Sequence, residues 1–156
     1  MASMITTVEA EPIVLVDSFT DEREMYAHAL RRQRTLVEFD NGEAAYEFSK
    51  SMDPALIITD AVLVGRTGGI DLTYRLKHDE RTKKVPVIIV SDQRRNGDRT
   101  RALDAGCDLY LQKPCLPDVL VAEARRLIRL RAVQTRNKSK ELIERALRIR
   151  DCRLAH

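Results

Sequence analysis

Five short apolar runs, several of them continuous and β-branched, constrain this chain more than any other feature: Ile13–Val16, Leu36–Phe39, Ala55–Ile58, Val85–Val90 and Leu109–Leu111. A strand with one wet face alternates apolar and polar residues, whereas a run without alternation suits a strand covered on both faces of a parallel sheet. Pro12, Pro54 and Pro86 stand at or near the start of three runs, where a missing backbone N–H is tolerated. The segments between the runs have helical spacing. Met25, Ala29 and Leu30 follow Asp21 and Glu22, acids that favour a helix N-terminus. Ala44, Ala45 and Phe48 follow Asn41-Gly42, a pair that could close a hairpin but here leads from loop to helix. Ile70, Tyr74 and Lys77 continue a third helix, and Ala102 and Leu103 a fourth, with Gly106 expected just past its end. Leu120, Ala124, Leu127 and Ile128 mark a fifth. Alternation repeated five times predicts an α/β fold, a doubly wound five-stranded parallel sheet with right-handed crossovers.

Several classes are excluded on composition. No apolar run approaches the ~20 residues of a spanning helix, and the first ten residues carry neither the basic nor the apolar stretch of a secretory signal. Cys107, Cys115 and Cys152 form no CxxC and leave an odd number, which points to reduced thiols and a cytoplasmic location rather than a disulfide frame. The net charge of +3 hides an asymmetry: residues 1–120 carry 16 basic and 20 acidic side chains, residues 121–156 carry 11 and 4. The chain thus has an acidic first part, up to residue 120, and a basic tail, and its pattern divides into a leader (1–11), a body (12–131) and a basic helical extension (132–156). In that extension the polar stretch Gln134–Lys140 interrupts the apolar pattern before a final candidate helix, Lys140–Arg150.

Ligands of open α/β sheets bind beyond the carboxyl ends of the strands. The first run ends in Asp17-Ser18, the third leads to Asp60, the fourth to Ser91-Asp92 and the fifth to Lys113-Pro114. Singly, an aspartate ending a strand is most simply a turn former. Together, two carboxylates, a hydroxyl and an ammonium at successive strand ends describe a site for Mg²⁺ and an anionic group beside it. That constellation points to phosphoryl chemistry with a carboxylate as acceptor.

In the segments PIVLVDSFTDERE, ALIITDAVLVGRTGGIDL, VPVIIVSD and AGCDLYLQKP, residues 12–131 resemble the receiver domain of bacterial two-component response regulators. The resemblance implies a flavodoxin-like strand order, 2-1-3-4-5, followed here by a C-terminal helical extension. It implies that Asp60 accepts a phosphoryl group from a histidine kinase or phosphotransfer protein, in a Mg²⁺-dependent reaction. Asp17, Asp60 and the backbone carbonyl of Val62 would hold the metal. Ser91 and Lys113 would bind the phosphoryl oxygens, Tyr110 would change rotamer on activation, and Pro114 would follow a cis peptide that aims Lys113 inward. The protein so described is a stand-alone phosphoacceptor signalling domain that assists only its own phosphoryl transfer and hydrolysis.

The chain departs from the family pattern at Ser18, where most receivers have a second acid. The candidates to compensate as metal ligands are Ser18 itself and Asp92. Asp92 has two readings: pointing inward it lends a carboxylate or repels the phosphoryl group, and pointing outward it caps the next loop. Val64 replaces a common proline, the loop from Asp60 to Gly69 is one residue longer, and Cys115 replaces a frequent Phe, with packing the expected consequence. These departures leave a phosphorylation-independent pseudo-receiver as the alternative. The histidines show no metal-ligand spacing, and Gly65, Gly68 and Gly69 lack the lysine of a phosphate-binding loop, so they serve turn geometry. Arg94, Arg95 and Arg99 are candidate contacts on the face running from the fourth helix to the fifth. A homodimer through that face or through the extension, and a downstream protein partner, are the expected contacts. Nucleic-acid binding by the basic extension is the weaker alternative, since Tyr, Phe and Trp are absent there.

Overall fold

Each of the five apolar runs forms a parallel strand in the computed structural model, which describes residues 11–92 and 96–154. The strands are β1 (Ile13–Val16), β2 (Leu36–Phe39), β3 (Leu56–Asp60), β4 (Val87–Ser91) and β5 (Leu109–Gln112), in the spatial order β2-β1-β3-β4-β5. The helices between and after them are α1 (Thr20–Leu30), α2 (Gly42–Met52), α3 (Gly69–Lys77), α4 (Asp98–Asp104) and α5 (Pro117–Leu154). Apart from Glu11, the leader lies outside the described residues, as do Arg94, Arg95 and His156.

The sheet is buried on both faces because its residues alternate between two cores. Val14, Val16, Ile57, Val87 and Ile89 pack with Ala45, Leu72, Leu76 and Ala102 beneath α2, α3 and α4. Ile13, Leu15, Leu56, Ile58, Ile88 and Val90 pack with Tyr26, Ala27 and Leu30 of α1 and Leu120, Ala124 and Leu127 of α5. Full burial of each large aliphatic side chain stabilises the fold by roughly 1.5–3 kcal/mol, so the central strands β1, β3 and β4 are held from both sides, while β2 and β5 at the edges are only partly buried.

Local signals set the helix ends. The Asn41 side chain accepts a hydrogen bond from the Ala44 N–H at 2.9 Å, capping α2. Gly106, at φ +99°, follows α4 in the left-handed region, and its N–H reaches the Leu103 carbonyl at 3.0 Å.

The structure differs from the sequence reading in three places. β3 and β4 begin later and run on into Asp60 and Ser91, because the ladder joins backbone groups and accepts polar residues at its end: Asp60 pairs with Val90 and Ser91 with Gln112. α1 buries Tyr26, Ala27 and Leu30 and leaves Met25 exposed; the Tyr26 hydroxyl donates to the Cys115 carbonyl at 3.0 Å, which turns that face toward α5. Finally, α5 is one helix of 38 residues that runs through positions 134–140 without a break. That stretch is polar but contains neither glycine nor proline, so it interrupts an apolar face and not a helical backbone.

Candidate functional site

Parallel register gathers the polar strand ends. Val16 pairs with Thr59, and Asp60 with Val90, so Asp17, Asp60 and Ser91 emerge side by side at the carboxyl edge of three adjacent strands. Lys113 follows β5 at the same edge, its N–H donating to the Ser91 carbonyl at 2.7 Å. The Lys113–Pro114 bond is cis. The loop after β3 folds back closely: a Cβ on Gly69 would lie 1.7 Å from the Asp60 carbonyl oxygen, which only glycine permits.

Asp60 is 8% exposed. One of its carboxylate oxygens accepts from the Val62 N–H at 2.9 Å, and the other from the Lys113 ammonium at 2.6 Å. Asp17 is 3% exposed, and one of its oxygens accepts from the Phe19 N–H at 2.8 Å. Among the described residues no hydrogen bond reaches the other oxygen. Burial pushes the Asp17 carboxyl above the usual aspartate range; the Phe19 N–H and the Lys113 charge offset this in part, while Asp60 and Glu22 add to it. Burial also works against the Lys113 ammonium, but hydrogen bonds to Asp60 and Glu22 and the neighbouring negative charges outweigh it, so Lys113 is held above the usual lysine value.

Glu22, in the first turn of α1, is the functional candidate that sequence reasoning missed. Its carboxylate accepts a very short hydrogen bond from Lys113, and one ligand atom each from Asp17, Glu22 and Asp60 lie within 4.8 Å of one another. The available signal is the acid-rich DER segment one turn after Asp17, which also has an ordinary explanation as acids at a helix N-terminus.

The remaining candidates fall around this cluster. Ser91 is fully buried. The Ser18 hydroxyl donates to the Asp40 carbonyl and accepts from the Val64 N–H, both at 2.8 Å, so it ties two loops together. Asp92 is exposed and Val62 lies on the exposed loop after β3. Tyr110 is 6% exposed, and its hydroxyl finds no partner among the described residues. Arg99 lies over its ring at 6.0 Å. Neither Cys107 nor Cys115 is activated: burial pushes the first up to about 11 and also raises the second.

Three carboxylates against one ammonium leave the cluster electronegative. Carboxylates ~4 Å apart repel by roughly 4 kcal/mol at an effective dielectric of ~20, which a bound cation relieves. Hard oxygen donors in this number suit Mg²⁺, which keeps several waters and needs few protein ligands. The unpartnered oxygen of buried Asp17 fits such an ion.

Comparison with known proteins agrees with the geometry. The family described as "Response regulator receiver domain" matches residues 13–125. The phosphate regulon transcriptional regulatory protein PhoB of Pseudomonas aeruginosa is 35% identical over 118 residues, 75% of this chain and 51% of that protein. The chain thus spans about half the length of that curated relative. Among solved structures, the receiver domain of a signal transduction histidine kinase from Syntrophus aciditrophicus superposes with a TM-score of 0.71 at 28% identity, covering 76% of this chain and 90% of that one. The receiver domain of a sensor histidine kinase from Pseudomonas aeruginosa, described with a magnesium ion coordinated in its active-site cleft, gives a TM-score of 0.70 at 24% identity, covering 76% and 98%.

Proposed function

Since this chain belongs to the response-regulator receiver family, we propose that Asp60 is its phosphoacceptor, charged by a histidine kinase or a phosphotransfer protein. Receiver domains are signalling domains of two-component systems rather than enzymes acting on free substrates. The observation that carries the assignment is the buried Asp60 carboxylate at the end of β3, held by Lys113 at 2.6 Å in a cluster with Asp17.

In this reading an Asp60 oxygen attacks the phosphorus of a phosphohistidine. A P–O bond forms as the donor's P–N bond breaks, and the imidazole nitrogen leaves with the electron pair. Asp17, Asp60 and the Val62 carbonyl are the residues that would hold Mg²⁺, which when bound supplies charge neutralisation at the phosphoryl oxygens. Lys113 transfers its ion pair from the Asp60 carboxylate to the phosphoryl group, and the Ser91 hydroxyl donates to a second phosphoryl oxygen. Both contacts are stronger with the phosphorylated form, and that difference is what a switch requires. Tyr110 is the proposed reporter: its unpartnered hydroxyl leaves the inward rotamer weakly held. Output passes through protein contacts, including a homodimer through the α4–α5 face or the exposed apolar residues of the α5 extension.

The pseudo-receiver alternative rested on Ser18 and Asp92. Asp92 is exposed, and three carboxylates cluster without either residue, which supports the phosphoacceptor reading over the pseudo-receiver. Intact mass after treatment with acetyl phosphate and Mg²⁺ is expected to show one added phosphoryl group in the wild type and none in Asp60→Asn. A wild type that takes up none from acetyl phosphate or a phosphohistidine donor refutes the assignment.

A further inference from the structure

We propose that Glu22 is the third carboxylate of the Mg²⁺ site, supplying from the first turn of α1 the charge that Ser18 does not provide. This rests on the phosphoacceptor reading of the same site and concerns which residues of this chain complete it.

Four observations converge. Ser18 is neutral, and its hydroxyl is committed to the Asp40 carbonyl and the Val64 N–H, so its proton is directed away from the cluster. Glu22 stands four residues later, at the third position of α1, and its longer side chain brings an oxygen within 4.8 Å of Asp17 and Asp60. Asp17 is more than nine-tenths buried, and among the described residues a hydrogen bond accounts for only one of its carboxylate oxygens, which leaves it acceptor capacity in the cluster. Finally, a cation already occupies this place: the Lys113 ammonium lies between Glu22 and Asp60, bonded to both. Carboxylates that converge on an ammonium offer the same oxygens to a divalent ion, which draws on them more strongly. Asp17 and Asp60 alone carry two negative charges, the same as the positive charge of the ion. Glu22 adds the third, and with it the electrostatic surplus that favours metal binding over hydration.

The competing role for Glu22 is purely structural, as a counterion that steadies Lys113. The two differ in a background without the lysine. Mg²⁺ titration by isothermal calorimetry is to be run on the wild type, Asp60→Asn, Glu22→Gln, Glu22→Asp, Ser18→Asp/Glu22→Gln and Lys113→Met with and without Glu22→Gln, with thermal unfolding in the absence of metal as the folding control. Glu22→Gln is expected to weaken Mg²⁺ binding by about tenfold or more, and the shorter acid in Glu22→Asp to retain part of the affinity. Ser18→Asp/Glu22→Gln is expected to recover most of it, because the charge returns from the position that Ser18 occupies. The loss is expected to persist in the Lys113→Met background. An unchanged affinity in Glu22→Gln, or a loss that vanishes once Lys113 is gone, overturns the proposal while leaving Asp60-dependent binding in place. Wild-type protein that binds no Mg²⁺, or binds it independently of Asp60, overturns both this inference and the reading beneath it.

Discussion

A single glycine sets how closely the loop after β3 approaches Asp60. At Gly69 an added Cβ would fall 1.7 Å from the Asp60 carbonyl oxygen and 2.8 Å from its carbonyl carbon, and backbone atoms cannot move aside as a flexible side chain can. Gly69→Ala is therefore expected to cost about 3 kcal/mol of stability and to weaken Mg²⁺ binding, because the strand end that carries Asp60 must shift. Denaturant melts and metal titration check this; a variant within about 0.5 kcal/mol of the wild type counts against the close approach. At this scale the sequence revealed residue types better than partners. Asp17, Asp60 and Lys113 stood out because they end apolar runs. Glu22 did not, because an acid at a helix start already has an ordinary explanation, and only its reach across to Lys113 shows a second one.

Between elements, the joint of α2 with the end of α3 is polar. The Tyr46 hydroxyl of α2 donates to Asp79 at 2.8 Å, and Asp79 also accepts from Arg81 side-chain and backbone N–H groups. The Arg81 side chain first, then its N–H and the Tyr46 hydroxyl, hold Asp79 well below the ordinary aspartate value of 3.8. A carboxyl depressed in the folded state binds fewer protons there than when unfolded. Its contribution is fully present above the ordinary value and is lost as pH falls below 3.8 toward the folded value. Asp79→Asn is thus expected to lower Tm at pH 7, with the gap to wild type narrowing below pH 4. A gap that stays constant from pH 7 to the acid limb refutes the linkage. The strands were legible because burial on both faces leaves a continuous apolar signature. Their last residues were not, because backbone pairing is indifferent to side-chain polarity, as Asp60↔Val90 shows.

At the scale of the whole molecule, the proposed switch and the basic extension lie at opposite edges of the sheet. Lys113 stands at the carboxyl edge, and α5 then runs back to the amino edge, where Arg131 donates to the Pro54 carbonyl at 2.6 Å and to Asp53 at 2.9 Å. Beyond Arg131 the helix continues for about 34 Å at 1.5 Å per residue, exposing Leu142, Ile143 and Leu147. Isolated helical turns have little stability of their own, so a second surface against these residues is expected. Wild-type protein should self-associate in sedimentation velocity. Joint replacement of Leu142, Ile143 and Leu147 by Gln should weaken that association by about 1.5 kcal/mol or more per side chain buried, without changing Mg²⁺ binding. A wild type that stays monomeric at all concentrations refutes this contact. Among the described residues no helix is long and apolar enough to cross a membrane.

The sequence by itself determined the α/β class, the strand positions, the helix after Asn41-Gly42 and the stop at Gly106, because each follows from local chemistry: burial period, cap and allowed φ. It also singled out Asp60, Asp17 and Lys113, since chain order carries all three to the same edge of a parallel sheet. Tertiary structure alone decided that Glu22 joins them, that Ser18 turns to the loops and that Asp92 is exposed. Those outcomes depend on where side chains far apart in the chain point once α1 packs beside β1 and Lys113 reaches from the end of β5 to Asp60, and no local periodicity encodes such an angle.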